Sequence, residues 1–491
     1  MSRRALVDYL PPMVLFCVAV AVRLGEHHAA LLYPDGYQYL LMARGISEHL
    51  QPTTVLGPGG DPFAPNADAA LKPLFPLLVA AVHALGVSWL EAARIVTVMA
   101  SALAVTALAL VVAKLSGSRL AGLAAGALLL AAPSVGFWSG FSGPDPVAEA
   151  LVLVATLAFV HHRPRVGGVL TGLAIATRPE IAVVALAAAL VSLRSPPARR
   201  EVVRAAPIAI VTGALVFLLL RTPLAVPDWQ LVWLSPLLLI AVLLLAWAPL
   251  TLVRAGAIAG AAVVALAVVT EAGPRDVWRS DWPLLVLGAA GLAILLRHER
   301  GTTVATLALG VVLLLGAVYV LKNPSLDRYF SLLVPVAALL AGVAAASLPA
   351  AARPPAFAAV GLVVLTGFMH PVPGSRDYDV FATVARQVAP TLDSNAAPLV
   401  TAAPDAYGFW LPDHSVLRME PGARGAVLLD AAQRSYEPEL GASGRVLTRV
   451  SDEIAFTRTN GEIDADAAVL VDGKVVSHAE PAKARAATPV P

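Results

Sequence analysis

The chain has 491 residues, of which 58% are hydrophobic and only 14% are charged, and its formal net charge is +2. Soluble domains contain roughly 45 to 50% apolar residues, so this composition predicts a polytopic membrane protein. The small net charge, with basic residues scattered in short clusters, argues against a nucleic-acid partner. A single cysteine, Cys17, excludes an intramolecular disulfide and a cysteine-based metal site.

The first apolar run follows Arg3 and Arg4, which makes it a candidate signal peptide as well as a candidate span. We favour a retained helix because many apolar runs follow it. About thirteen runs have the length of a span. They cover residues 10–24, 92–113, 120–138, 146–161, 166–177, 180–193, 203–220, 232–252, 255–270, 283–296, 302–320, 330–349 and 355–369.

Positive charges set the orientation. With the N-terminus in the cytoplasm, every predicted cytoplasmic loop is basic. These loops carry Lys114, Arg119, Arg163, Arg165, Arg194, Arg199, Arg200, Arg204, Arg254, Arg297, Arg300 and Arg353. This assignment of loops to the two sides of the membrane requires residues 72–86, which contain two prolines, to form an interfacial helix rather than a span.

Carboxylates and cations then converge on the outer side, beginning with a first outer loop at residues 25–91 that contains Asp35. Charged groups beside span ends are functional candidates, because burying them in a membrane is unfavourable unless they are paired. Asp276, Arg279 and Asp281 are not counted among these functional candidates, because we expect them to belong to a solvated loop.

After residue 370 the apolar runs become short and are bounded by Gly, Pro and Asp. We therefore predict a transmembrane domain at residues 1–370 and a small extracytoplasmic α/β domain at 371–478. Residues 479–491 have low complexity and are predicted to be disordered.

Several motifs together carry a family resemblance. In chain order they are PDGYQYLLMARGI, KPLFPLL, SGPDPVAEAL, GGVLTGLAIATRPEIAVVALAAAL and DRYFSLLVPVAALLAG. Their order and spacing over roughly residues 5–350 resemble the GT-C membrane glycosyltransferases. Within these, the chain is most similar to the protein O-mannosyltransferase and aminoarabinose transferase superfamily, glycosyltransferase family 39-like.

The resemblance implies an all-α polytopic GT-C fold with a long first outer loop that carries interfacial helices. It also implies an enzyme of the hexosyltransferase class. Such an enzyme takes a sugar from a polyprenyl-phosphate donor and transfers it, with inversion, to a hydroxyl of a protein, lipid or cell-envelope glycan at the outer face of the membrane.

Asp35 stands just beyond the first span, as the catalytic aspartate of that family does, and is the candidate general base. Relatives often have Asp-Glu here, whereas this chain has Asp35 followed by Gly36. This departure leaves the acceptor contacts in doubt. The alternative role of Asp35 is to cap the helix that follows, and the two roles are compatible.

Three further residues match family motifs. Lys72 matches the Lys-Pro element beside the carrier phosphate, and its alternative is a lysine that snorkels to the interface. Asp145 matches the second acidic motif and would hold the acceptor, orient a cation or cap a helix. Glu149 lies one turn further on the same helix face, where it would join this motif or pair structurally with an arginine.

Arg178, Arg328 and Tyr329 are candidate ligands of the carrier phosphate, because arginine binds phosphate bidentately. Arg328 would otherwise form a salt bridge with Asp327 or with another acid. Tyr37 and Tyr39 are interpreted as ordinary interfacial tyrosines, although both would be within reach of a sugar or acceptor.

No cofactor and no catalytic metal are predicted. The adjacent His27 and His28 lack a spaced third partner, and the sequence contains no GxxxxGK[ST] motif. The predicted partners are a polyprenyl-phosphate sugar, membrane lipid and a hydroxyl-bearing acceptor. The composition, rich in Ala and Arg, suggests a bacterial cytoplasmic membrane.

Two other functions share many of these features. A flippase or transporter of a lipid-linked glycan would need the same spans and lipid-phosphate binding, but the chain shows no matched pair of broken helices at mid-membrane. A noncatalytic envelope assembly protein would act through the C-terminal domain.

Overall fold

The computed structural model describes most of the first 220 residues and shorter stretches beyond them. In full, the described residues are 3–26, 35–54, 70–192, 196–220, 272–297, 304–306, 308, 312, 331, 333–369, 380–395, 398–401, 403–418, 426–428, 464–465, 468–471, 474–478 and 482–483. The predicted spans at 232–252 and 255–270, and most of the one at 302–320, lie outside these residues.

Apolar α-helices dominate the described part of the chain before residue 370. They are α1 (Arg3–Glu26), α2 (Asp35–His49), α3 (Leu74–His83), α4 (Trp89–Ser116), α5 (Arg119–Ala131), α6 (Pro133–Ser139), α7 (Asp145–Val160), α8 (Pro164–Thr177), α9 (Ile181–Ser192), α10 (Pro196–Leu219), α11 (Ala272–Leu295), α12 (Val334–Ser347) and α13 (Arg353–Met369). Most begin and end within a few residues of the predicted spans.

Three described helices are long and apolar enough to cross a membrane by themselves, namely α4, residues 198–219 of α10, and residues 350–369, which include α13. Residues 72–86, expected to form an interfacial helix, contain α3 with ten residues, and its interfacial placement remains a prediction. The predicted count of about thirteen spans remains a prediction.

The span expected at 120–138 is not one straight helix. It divides into α5 and α6, which meet at an angle of 64°. Pro133 is the first residue of α6, and Ala132 before it has an extended backbone. Proline disfavours helical backbone at the preceding residue, which accounts for the break.

The helices pack in sequence around an interior rich in alanine. α4 contacts α1, α5 and α7, while α8 lies between α7 and α10. α12 packs on α5 and α11, and α13 packs on α5. Small side chains let these backbones approach closely, which is how apolar helices gain dispersion energy when their surroundings are equally apolar.

Basic residues gather at one end of this bundle. Lys114 lies in the last turn of α4, and Arg163 lies in the turn between α7 and α8. His162 Nδ1 lies 2.6 Å from Glu201 Oε1, so this turn and the start of α10 lie side by side. The opposite end carries α2 and α3, and we call it the α2 end.

The described residues after 380 form two helices and several short strands. The helices are α14 (Val380–Asn395) and α15 (Pro404–Trp410), and the strands are β1 (Leu399–Thr401), β2 (Val416–Arg418), β3 (Ala426–Leu428), β4 (Asp464–Ala465), β5 (Ala468–Val471), β6 (Lys474–His478) and β7 (Ala482–Lys483). Five strands pair in the order β2-β1-β3-β5-β6. β1 is parallel to β2 and β3, and the other pairs are antiparallel. β7 pairs with β4, so two residues of the predicted tail are in a strand.

The prediction that Asp281 lies in a solvated loop is wrong. The residue lies within α11, which begins eleven residues before the predicted span, and it is only 1% exposed. Its Oδ2 accepts hydrogen bonds from the Ser134 backbone N–H at 3.3 Å and from the Ser280 hydroxyl at 2.8 Å. These donors stabilise a carboxylate in an apolar setting.

The contact between α8 and α10 depends on the absence of a side chain at Gly172. A Cβ atom there would collide with the Ala209 carbonyl and come within 2.9 Å of the Gly213 nitrogen. We expect Gly172→Ala to destabilise the protein by about 1 to 3 kcal/mol, because two backbones must separate. Thermal unfolding in detergent would measure this.

Gly361→Ala is the matched control, since a Cβ at this position in α13 would meet nothing within 4 Å. Alanine is the better helix former by about 1 kcal/mol, so this variant should be as stable as the wild type or slightly more stable. Equal melting temperatures for the two variants would contradict the close packing of α8 on α10.

Candidate active site

The start of α7 and the end of α8 bring Asp145 and Arg178 into contact. The two helices are antiparallel neighbours joined by a short turn, so the first residue of α7 faces the residue that follows α8. Arg178 Nη1 lies 2.7 Å from Asp145 Oδ1, and the side chains are 1% and 11% exposed. This is a salt bridge largely removed from solvent, in which each charge stabilises the other.

Glu149 lies one turn after Asp145 and adds a second acid. Its Oε1 is buried and has no hydrogen-bond partner among the described residues. It interacts electrostatically with Arg23 and with Asp145. Arg23 is thus an arginine close enough to act on Glu149 through its charge.

Arg23 is a charged residue that the sequence reasoning missed. It lies in the last turn of α1 and is fully buried. Its Nε donates to the Ser101 hydroxyl and its Nη2 donates to the Leu130 carbonyl, both at 3.1 Å. A lone arginine inside the apolar run VAVAVRLG was the available signal, since such residues are rarely tolerated without a partner.

We call Arg23, Asp145, Glu149 and Arg178 the charge cluster. Two carboxylates and two guanidinium groups give it no net formal charge. It lies at the α2 end, because α1 ends there and α7 begins there. The structure therefore brings three of the predicted site residues together and adds Arg23 to them.

Asp35 is the first residue of α2 and is partly exposed. A carboxylate in the first turn of a helix is favoured by the partial positive charge of the helix N-terminus. Its predicted helix-capping role and its predicted catalytic role remain compatible.

Lys72 precedes α3 and is only 1% exposed. This burial argues against a lysine that snorkels into water, because snorkelling requires the ammonium to reach solvent. α3 packs against α2, so Lys72 and Asp35 lie on neighbouring elements.

One apolar cluster links these positions. It includes Tyr37 and Tyr39 from α2, Phe75 from α3 and Val147 from α7. These residues follow Asp35, Lys72 and Asp145 by two to four positions in the chain. The three motifs therefore border a single packed core at the α2 end.

The two tyrosines differ from the interfacial role expected for them. Tyr37 and Tyr39 are 0% and 2% exposed. The Tyr39 ring meets Phe75 edge to face at 5.7 Å, and the Tyr37 hydroxyl accepts a hydrogen bond from Trp410. Both tyrosines pack inside the protein, where their rings fix α2 against its neighbours.

Arg328 and Tyr329, predicted to contact the carrier phosphate, lie outside the described residues, as do His27 and His28. Within the described ranges, no three His, Cys, Asp or Glu side chains come together in a way that could hold a metal ion. The independence from metal expected from the sequence remains a prediction.

The Asp145–Arg178 pair makes a test of stability possible. Asp145→Asn leaves a buried guanidinium without this counter-charge, so we expect a loss of about 3 to 5 kcal/mol. Adding Arg178→Gln should recover part of that loss, because the uncompensated charge is then removed. Thermal unfolding of both single variants and of the double variant measures the coupling.

Asp276→Asn is the control, because Asp276 pairs with Arg279, whose side chain is 68% exposed. Exposed pairs of this kind contribute about 0 to 1 kcal/mol. If the losses in the free energy of unfolding from Asp145→Asn and Arg178→Gln simply added in the double variant, the two side chains would not be a coupled buried pair.

No family model and no curated protein matches the sequence. Solved structures do match it. The oligosaccharyltransferase AglB from Archaeoglobus fulgidus, in complex with an inhibitory peptide and a dolichol-phosphate, is 12% identical with a TM-score of 0.56; the match covers 91% of this chain and 70% of that one. For the same oligosaccharyltransferase tethered with an acceptor peptide, the TM-score is 0.53 at 11% identity, over 85% of this chain. This chain spans only 64% of the length of that structure.

ArnT from Cupriavidus metallidurans, bound to undecaprenyl phosphate, matches at 16% identity with a TM-score of 0.55. Here the coverage is 89% of this chain and 95% of that one, so the two folds correspond nearly end to end. Identities this low establish the architecture rather than the chemistry. The chain has the GT-C fold of membrane glycosyltransferases.

Proposed function

We propose that the chain is an inverting glycosyltransferase that moves a sugar from a polyprenyl-phosphate donor to a hydroxyl acceptor at the outer face of the membrane. The observation that carries the proposal is the GT-C fold, shared over about nine-tenths of the chain with an ArnT structure bound to undecaprenyl phosphate. The placement of the charge cluster, Asp35 and Lys72 at one end of the bundle supports it.

A sugar on a polyprenyl phosphate already carries a good leaving group. The enzyme must therefore activate the acceptor hydroxyl and stabilise the departing phosphate. In this proposal Asp35 takes the proton of the acceptor hydroxyl while that oxygen attacks the anomeric carbon. The bond from the anomeric carbon to the phosphate oxygen breaks on the opposite face, so the configuration inverts.

Lys72 would stabilise the negative charge that grows on the phosphate, since an ammonium in a buried site interacts strongly with an anion. Arg328 and Tyr329 would complete the phosphate site from the later motif. Arg178 pairs with Asp145, so we propose that it acts by orienting this acid. Asp145 and Glu149 would then contact the acceptor.

The remaining parts of the proposal concern topology. The end of the bundle rich in arginine and lysine would face the cytoplasm, and the α2 end would face outward. We propose a transmembrane domain of about thirteen spans at residues 1–370, followed by an extracytoplasmic domain at 371–478 and a short tail. The membrane would be a bacterial cytoplasmic membrane.

Asp35→Asn tests the central claim. Loss of a general base lowers rates by about 10² to 10⁴-fold, and we expect transfer from synthetic polyprenyl-phosphate sugars to fall within that range. Release of sugar from a small donor panel, in lipid nanodiscs, gives the readout.

Glu48→Gln is the matched control, since Glu48 is an exposed acid on the same helix whose ion pairs, with Arg44 and His49, are local. Near-normal transfer by Asp35→Asn would remove Asp35 from the mechanism. If the wild type binds carrier but transfers no sugar from any donor, the flippase or assembly function gains support instead.

Lys72→Met tests phosphate binding separately from turnover. Hydrogen bonds to charged groups contribute about 1.5 to 3 kcal/mol, so we expect undecaprenyl phosphate to bind roughly tenfold or more weakly. Calorimetry in nanodiscs can follow this directly. Lys114→Met, an exposed lysine at the other end of α4, should bind as the wild type does. Equal affinities for wild type and Lys72→Met would place the phosphate elsewhere.

A further inference from the structure

The short helix α15 lies directly on the first turns of α2, more than 360 residues away in the chain. Trp410 Nε1 donates a hydrogen bond to the Tyr37 hydroxyl at 2.9 Å. Gln38 Nε2 donates to Asp405 Oδ2 at 3.3 Å, and both of these side chains are buried. The two contacts fall two and three residues after Asp35.

Aromatic rings surround these hydrogen bonds. Tyr37 meets Phe381 from α14 edge to face and Phe409 at a tilt, each with ring centroids 5.6 Å apart. Phe381 also contacts Tyr407, and Phe409 contacts Trp410. The Trp410–Tyr37 bond is partly buried among these rings, so its loss removes a donor from the buried Tyr37 hydroxyl and is unfavourable.

α2 needs such support. It has fifteen residues, a length at which an isolated helix is marginal, and its first turn carries Asp35. α3 packs against it and α15 lies against its first turns. Removing one support would let the first turn move, and a displacement of about 1 Å at a reacting group is enough to lower rates by about two orders of magnitude.

We propose that α15 anchors α2, and that Trp410 and Asp405 are positioning residues that hold Asp35 at the reaction site. The consequence for catalysis rests on the function proposed above, whereas the anchoring of α2 does not. The residues after 380 would thereby complete the active site without touching the substrate. This assigns a role to a region in which the sequence shows no functional motif.

Trp410→Phe in the full chain tests the anchor, because it removes the indole N–H and keeps an aromatic ring. In nanodiscs we expect amide hydrogen exchange in the peptide covering residues 35–49 to rise about tenfold, with exchange in α4 unchanged. We expect kcat to fall about tenfold while the KM for donor stays within about twofold, since binding groups are not altered.

Tyr37→Phe removes the acceptor of the same hydrogen bond and provides a second variant should Trp410→Phe fold poorly. If this hydrogen bond is the relevant contact, the double variant Tyr37→Phe/Trp410→Phe will show the same hydrogen exchange and the same kcat as either single variant. Additive effects would overturn the assignment of this bond.

An epistasis measurement separates positioning from general stability. In an Asp35→Asn background, Trp410→Phe should leave the residual rate unchanged, because no base remains to be positioned. A variant that merely lowers the amount of folded enzyme would reduce that residual rate further, and such a result would overturn the positioning role.

Trp278→Phe and Asp413→Asn serve as matched controls. Trp278 is a partly exposed tryptophan on α11 and Asp413 is an exposed acid just after α15. Both should match the wild type in exchange and in rate.

Unchanged exchange at residues 35–49 in Trp410→Phe would overturn the anchor whether or not the enzyme turns over. A wild type that transfers no sugar would overturn the proposed function and the positioning of Asp35, while raised exchange in the variant would still establish the anchor.

Discussion

The pairing of buried charges at the α2 end is the constraint on which the bundle depends. A guanidinium or carboxylate in an apolar interior loses several kcal/mol of hydration, so each one must find a partner or a set of hydrogen bonds. Arg178 and Asp145 pair with each other, and Arg23 binds Ser101 and the Leu130 carbonyl. These contacts join α1, α4, α5, α7 and α8. The geometry that satisfies the charges therefore also fixes the relative positions of five helices.

The rest of the bundle supplies the rigidity that this arrangement needs. In α8, a Cβ at Gly168 would come within 2.6 Å of the Ala205 carbonyl, and in α11 a Cβ at Gly288 would come within 2.7 Å of the Ala337 Cα. Contacts of this kind hold backbones at a fixed separation through many weak dispersion interactions. Because such contacts are dense and short, the charged groups at the helix ends have little freedom to separate.

Local patterns predicted the helices well but could not predict the contacts between them. Apolar length located α4, α7 and α8 within a few residues, because a span must match the thickness of the membrane. The break before Pro133 was missed, although proline was a local signal for it. The burial of Asp281 was missed for a different reason: its backbone donor, Ser134, lies 147 residues away. No periodicity within one segment reports such a partner.

In the candidate site, too, local patterns and long-range contacts contributed different residues. Asp35, Lys72 and Asp145 are candidates that the motifs supplied, whereas Arg23 and the contacts of Tyr37 required the fold. The structure also bears on Gly36, which stands where relatives often have the Glu of Asp-Glu. Gly36 is the second residue of α2 and is buried, and the next residue, Tyr37, accepts a hydrogen bond from Trp410 of α15. An acidic side chain at this buried position would have to leave water, which is unfavourable for a charged group unless it is paired. With glycine there, Asp35 is the one carboxylate of the PDGYQYLLMARGI motif. Further carboxylates at this end of the bundle come from another element, since Asp145 and Glu149 of the second acidic motif lie on α7.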